Sequence, residues 1–132
     1  MSLVNDGAVA EQFVGQHLLY SGAPYEMPSL CYWLREAKGA AAEVDYVIAN
    51  GQHVVPVEIK TGKTGTLRSL HSFLREKRCT FGLRLNGDLP SLLTDSTVLY
   101  DKTKLDYELL SLPLYAVGQI RRLLAAYFEG VR

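Results

Sequence analysis

Two carboxylates and a lysine in the middle of the chain have the types and spacing for metal-assisted chemistry. They are Asp45, Glu58 and Lys60, in the pattern D-x(12)-E-I-K. Carboxylate oxygens are the hard ligands that Mg²⁺ takes, usually one or two at a time with several waters retained. A lysine beside them can position or deprotonate a water, or neutralise charge that develops on a phosphate. That chemistry requires all three side chains on one face of one element.

The stretch from Glu43 to Lys63, EVDYVIANGQHVVPVEIKTGK, supplies such an element. Val44, Tyr46 and Ile48 alternate with Glu43, Asp45 and Val47, a period of two in β-branched and aromatic residues. Asn50-Gly51 follows, a strong hairpin signal because both residues tolerate positive φ. His53, Val55, Val57 and Ile59 then alternate with Val54, Pro56, Glu58 and Lys60. With Asn50 and Gly51 as the turn, Ala49 faces Gln52, Asp45 faces Pro56 and Glu43 faces Glu58. Val44, Tyr46, Ile48, Val55, Val57 and Ile59 then share an apolar face, and Glu43, Asp45, Glu58 and Lys60 the other. Asp45 and Glu58 become diagonal neighbours with Cα atoms about 7–8 Å apart. Pro56 cannot donate to a ladder, so it marks an edge, a strand start or a bulge. Opposed carboxylates repel. A divalent cation or open solvent removes that cost, and periodicity alone leaves a metal site and a plain water-facing surface equally open.

The triad resembles the signature of the PD-(D/E)XK nuclease superfamily. In layout it is similar to the archaeal Holliday-junction resolvases, with an Asp-bearing strand, a short turn and an E-I-K strand. The order Tyr32-Trp33, EVDYVI, VPVEIKTG, a Leu-rich helix and a terminal LPLY also resembles a poorly characterised domain. That domain follows an AAA-type ATPase module in many bacterial and archaeal proteins, and the likeness spans roughly residues 7 to 120. The resemblance implies an α/β fold, a restriction-endonuclease-like mixed central β-sheet flanked by α-helices. It implies Asp45, Glu58 and Lys60 as catalytic residues. Mg²⁺ or Mn²⁺ would be held by Asp45, Glu58, the backbone carbonyl of Ile59 and Glu11 of the first helix. It implies DNA as a partner and an ATPase module upstream in the same protein. Residues 1–3 read as an expression remnant, and the chain as a C-terminal piece of something longer.

At 132 residues the chain is one domain with room for a real core. It is 48% hydrophobic and 21% charged with no net charge, so there is no global pull towards nucleic acid. The charge is unevenly placed. Between Lys60 and Arg84 lie Lys60, Lys63, Arg68, Arg75, Lys77, Arg78 and Arg84 against one acid, Glu76. Lys63, Arg68, Arg75 and Arg78 are candidates for phosphate contact; a solvated helix face explains them as well. Cys31 and Cys79 lack metal-ligand spacing and read as reduced core thiols. No leader peptide, membrane-length apolar run or Walker A loop is present in the sequence, and a cytoplasmic location is expected.

The flanking segments read as follows. Residues 6–20 form a helix with Val9, Phe13, Leu18 and Leu19, plus Ala10 and Val14, as its apolar stripe, and Gly15 in close contact with the sheet. Residues 30–36 form a strand, with Trp33 in the core. Thr64 or Thr66 caps a helix over 67–77, with Leu67, Leu70, Phe73 and Leu74 inward. Strands follow at 79–85 and 96–100. Residues 101–111 read as charged and irregular, and a final helix covers 116–128 with Val117, Ile120, Leu124 and Phe128 inward. The order α–β–β–β–α–β–β–α predicts a mixed sheet with helices on its faces, including one β–α–β crossover. His17, His53 and His71 are isolated and take no catalytic role. Three functions fit: a Mg²⁺-dependent nuclease, an inactive nuclease-like module that binds nucleic acid or regulates an ATPase, and a protein-interaction domain.

Overall fold

The computed structural model describes residues 6–19, 31–35, 42–50, 52–60, 67–99 and 101–130. Helix α1 is Asp6–Leu19, followed by strands β1 (Cys31–Arg35), β2 (Ala42–Asn50) and β3 (His53–Ile59). Helix α2 (Arg68–Glu76) leads to β4 (Phe81–Asn86), β5 (Ser91–Val98) and β6 (Lys104–Pro113). A 3-10 segment, Leu114–Gln119, runs into helix α3, Ile120–Gly130. The six strands form one mixed sheet in the order β1-β2-β3-β4-β6-β5. β1, β2 and β3 are antiparallel in turn; β3, β4 and β6 are parallel; β5 runs antiparallel to β6 at the far edge. The fold is therefore α/β, with helices on both faces.

Two cores follow from the alternation along the strands. On one face Ile48, Val55, Val57, Phe81, Leu83, Leu85 and Leu112 pack with Val14 and Leu18 of α1, Val117, and Ile120 and Leu124 of α3. On the other, Leu70, Phe73 and Leu74 of α2 pack with Val44, Tyr107 and Leu109. Each of these three α2 side chains is buried and contributes roughly 1.5–3 kcal/mol. That packing holds α2 in place, because Leu67 at its N-cap makes no side-chain capping bond. Thr64 and Thr66 lie outside the described residues, as do Lys63 and the side chain of Trp33.

Several expectations need correction. The buried stripe of α1 is Ala10, Val14 and Leu18, whereas Val9 and Phe13 face outward. The β5 strand starts at Ser91, earlier than expected. Residues 104–113 are not irregular but form the ten-residue β6. There Tyr107 and Leu109 point to α2, and Leu110 and Leu112 to the other core, while the charges of Lys104 and Asp106 stay at the exposed start. The hairpin register is also moved by two. Asn50 pairs with His53, Ile48 with Val55, Val47 with Pro56 and Tyr46 with Val57. This register joins Ile48 to Val55, where the expected one would join it to His53. A shift of two preserves faces.

Val44 breaks the expected alternation in β2. It packs on the α2 side, whereas Tyr46 and Ile48 face the other core. The cause is an irregularity in the β1–β2 ladder, where Cys31 pairs with Val47 but Trp33 pairs with Val44. The extra residue falls beside Asp45 and re-aims the side chains around it. The β2–β3 register, by contrast, continues through Pro56. The Lys60 amide donates to Leu85 of β4, and by alternation Pro56 turns its nitrogen to the same edge. Pairing with β4 begins only at Val57, so Pro56 removes no ladder bond.

Candidate functional site

The site lies where β2 leaves its regular pairing and β3 ends. The β2–β3 pairing ends at Tyr46 and Val57, so Asp45 and Glu58 are the next residue on each strand, and the Asp45 charge acts on Glu58. The irregularity in β2 leaves the Ile59 amide without a regular backbone partner there. The Asp45 side chain takes that place: Ile59 N–H donates to Asp45 Oδ2 at 2.9 Å. Asp45 is thus fixed by a backbone bond on the neighbouring strand.

Glu58 is 8% exposed, an unusual position for a carboxylate. Its Oε1 meets Lys60 Nζ at 3.3 Å, while its Oε2 is buried with no hydrogen-bond partner among the described residues. Burial and the Asp45 charge push the Glu58 carboxyl up to about 7, against the opposing pull of Lys60. Asp45 is raised for the same first reason, burial, with the Ile59 amide and Lys60 working the other way. Glu11 lies largely exposed on α1 and is raised by partial desolvation, then by Asp45 and Glu43. Glu58, Asp45 and Glu11 are thus all raised, with Lys60 as the opposing cation at Asp45 and Glu58.

α1 is tied to this corner by one contact. Tyr46 donates its hydroxyl to the Glu11 carbonyl at 3.0 Å. The ring lies against Gly15, where a Cβ would overlap the Tyr46 hydroxyl. The close approach expected of Gly15 is present, and it sets Glu11 one turn before the contact. On the opposite face Glu43 N–H donates to Ser69 Oγ of α2 at 3.2 Å.

Among the described residues, no three His, Cys, Asp or Glu side chains stand together as a ready metal-binding group. Asp45 and Glu58 are the adjacent pair, and Glu11 stands nearby without closing a three-ligand set. The bare Oε2 of Glu58 nonetheless fits a cation, which would satisfy it and offset the repulsion from Asp45. Of the basic candidates, Arg68, Arg75 and Arg78 are among the described residues and are spread along α2 and just past its end. Arg68 opens α2 on the Glu58 side of the helix. Arg75 is paired with Asp101, and Arg78, at φ 55°, lies beyond the other end, roughly 10–15 Å along the axis.

The parallel register adds a residue that sequence reasoning passed over. Glu58 pairs with Arg84 of β4, and Arg84 with Ser111 of β6. Arg84 had counted only as part of a diffuse basic stretch. Its signal was a lone cation inside the otherwise apolar FGLRL run.

A family described as a domain of unknown function, DUF4143, matches residues 6–107. The chain belongs to the DUF4143 family. The DUF4143 match runs from α1 into β6 and takes in Glu11, Asp45, Glu58, Lys60 and Arg84, so the whole acidic corner lies within it. No curated protein matches this DUF4143 chain. Among the described residues no helix is long and apolar enough to cross a membrane.

Proposed function

We propose that the chain is a Mg²⁺- or Mn²⁺-dependent phosphodiesterase acting on DNA. In this reading its sheet is a restriction-endonuclease-like core that serves an AAA-type ATPase module of the same protein. The observation that carries the reading is Glu58: a buried carboxylate with a bare Oε2, beside Asp45 and in contact with Lys60. A buried oxygen without a partner costs about 1–3 kcal/mol, a cost that a bound cation would offset. The DNA and ATPase parts rest on the resemblance in the triad and in the order of segments.

Asp45 and Glu58 would hold the ion, with the Ile59 carbonyl and Glu11 completing the protein's share. When bound, the metal lowers the pKa of a coordinated water and offsets charge on the phosphate. Ile59 N–H keeps the Asp45 carboxylate fixed. Lys60 shifts from Glu58 towards the phosphate oxygen, where its charge is needed as the bond breaks. Burial of Glu58 excludes competing water and strengthens each of these interactions.

A second reading has its own support. Asp45 Oδ2 already accepts from Ile59, and no three-ligand group is preassembled among the described residues. These features favour a module that binds DNA or regulates the ATPase without cutting. Incubation with labelled duplex, single-stranded and branched DNA in Mg²⁺ separates the two. Cleavage by the wild type, lost in Lys60→Ala while DNA binding persists, supports the enzyme. Binding without cleavage in both supports the module.

A further inference from the structure

The register across the three parallel strands builds a polar row on the face that α2 covers. Glu58, Arg84 and Ser111 are successive partners on β3, β4 and β6. Register partners share a face, and strands lie about 4.8 Å apart, so the row is roughly 10 Å wide. Gly82, two residues before Arg84, sits beneath Leu70 of α2. The row therefore lies further along, at the carboxyl ends of the parallel strands, where open α/β sheets take their ligands.

Arg84 has no carboxylate partner among the described residues, although its charge is felt by Tyr107. It is half-buried and one strand from a buried carboxylate, yet Glu58 pairs with Lys60 instead. The Arg84 Nε donates to Ser111 Oγ at 3.0 Å, which fixes the guanidinium at that atom. Among the described residues no hydrogen bond uses its two terminal nitrogens, whose N–H groups form the planar fork that matches phosphate oxygens. The acidic corner also needs such a group. Glu11, Glu43, Asp45 and Glu58 repel an approaching anion, and Lys60 is a single cation against them.

We propose that Arg84, held in orientation by Ser111, binds a phosphodiester oxygen of the nucleic-acid backbone beside the Asp45–Glu58 site. The proposal rests on the phosphodiesterase reading and names the group that recognises its substrate. Arg84 contacts the phosphate, and Ser111 is a positioning residue that fixes the fork.

The test is fluorescence anisotropy of a labelled DNA duplex in Ca²⁺ across a salt series, beside Mn²⁺ titration calorimetry of the same proteins. Arg84→Ala weakens duplex binding about tenfold and lowers the slope of log Kd against log salt by about one, while Mn²⁺ affinity stays within about twofold. Arg84→Lys, which keeps the stem and charge should the alanine variant not fold, restores the slope but not the full affinity. Ser111→Ala keeps the slope and loses a few-fold in affinity, which general destabilisation does not produce. A wild type that binds duplex and Mn²⁺, matched by both Arg84 variants, overturns the role of Arg84 alone. A wild type that binds neither overturns the phosphodiesterase reading and this proposal together.

Discussion

Glu58 is ionised at a cost, and that cost is measurable without any substrate. Its folded pKa of about 7 lies above the ordinary 4.5, so between those values the folded chain binds more protons than the unfolded one. Stability contributed by this residue is therefore full below about pH 4.5 and falls as pH rises towards 7. The whole shift corresponds to about 3 kcal/mol, and solvent near the sheet end screens it to about 1–2 kcal/mol. Glu58→Gln should accordingly raise the melting temperature of the metal-free protein by about 3–10 °C at pH 8 and by almost nothing at pH 4.5. Half-buried His71 has its pKa lowered by burial, so its contribution fades as pH falls, the opposite trend. Comparing the variant with the wild type at each pH cancels that contribution; equal melting curves at pH 8 would rule out the strained carboxylate. Lys60→Ala acts in the other direction. It removes a charge that lowers the Glu58 pKa, so the carboxyl titrates still higher, by NMR, and cleavage falls to background.

At the scale of elements, α1 meets β2 at one hydroxyl that needs a missing side chain, beside the packing of Val14 and Leu18 in the core that holds Ile48. Gly15→Ala should destabilise by about 1–3 kcal/mol because its Cβ meets the Tyr46 hydroxyl. Tyr46→Phe removes that oxygen, so the double variant should lose less than the sum of the two single losses in urea melts; additive losses would mean the contact does not couple them. The sequence made this hairpin and its faces largely legible, because a period of two survives a register shift of two. It did not show that Asp45 and Glu58 lie just past the last β2–β3 pair, Tyr46 with Val57. The turn position depends on which cross-strand pairs win, and Ile48 against Val55 outweighed the Asn-Gly signal. Val44 was misplaced because the β1–β2 irregularity is set by pairing with a distant strand. β6 was missed since Lys104, Asp106 and Glu108 mask an alternation that becomes clear only when each face has a core to meet. The outward turn of Val9 and Phe13 has the same origin: helix periodicity allows a broad stripe, and the sheet covers only part of it.

For the molecule as a whole, the parallel centre of the sheet brings distant segments to one end. Asp45, Glu58 and Lys60 come from the hairpin, Glu11 from α1, Arg84 from β4 and Ser111 from β6. The acids and Lys60 were visible in sequence as residue types with the right spacing. Arg84 and Ser111 became neighbours only through a β–α–β crossover and a strand inserted out of sequence order. The central claim is that Asp45 and Glu58 share a divalent cation. Titration calorimetry with Mn²⁺ at pH 8, wild type against Asp45→Ala and Glu58→Gln, tests it without assuming any substrate. The account predicts saturable binding by the wild type that falls at least tenfold in either variant. Binding unchanged by both substitutions, or no binding by the wild type, would contradict it.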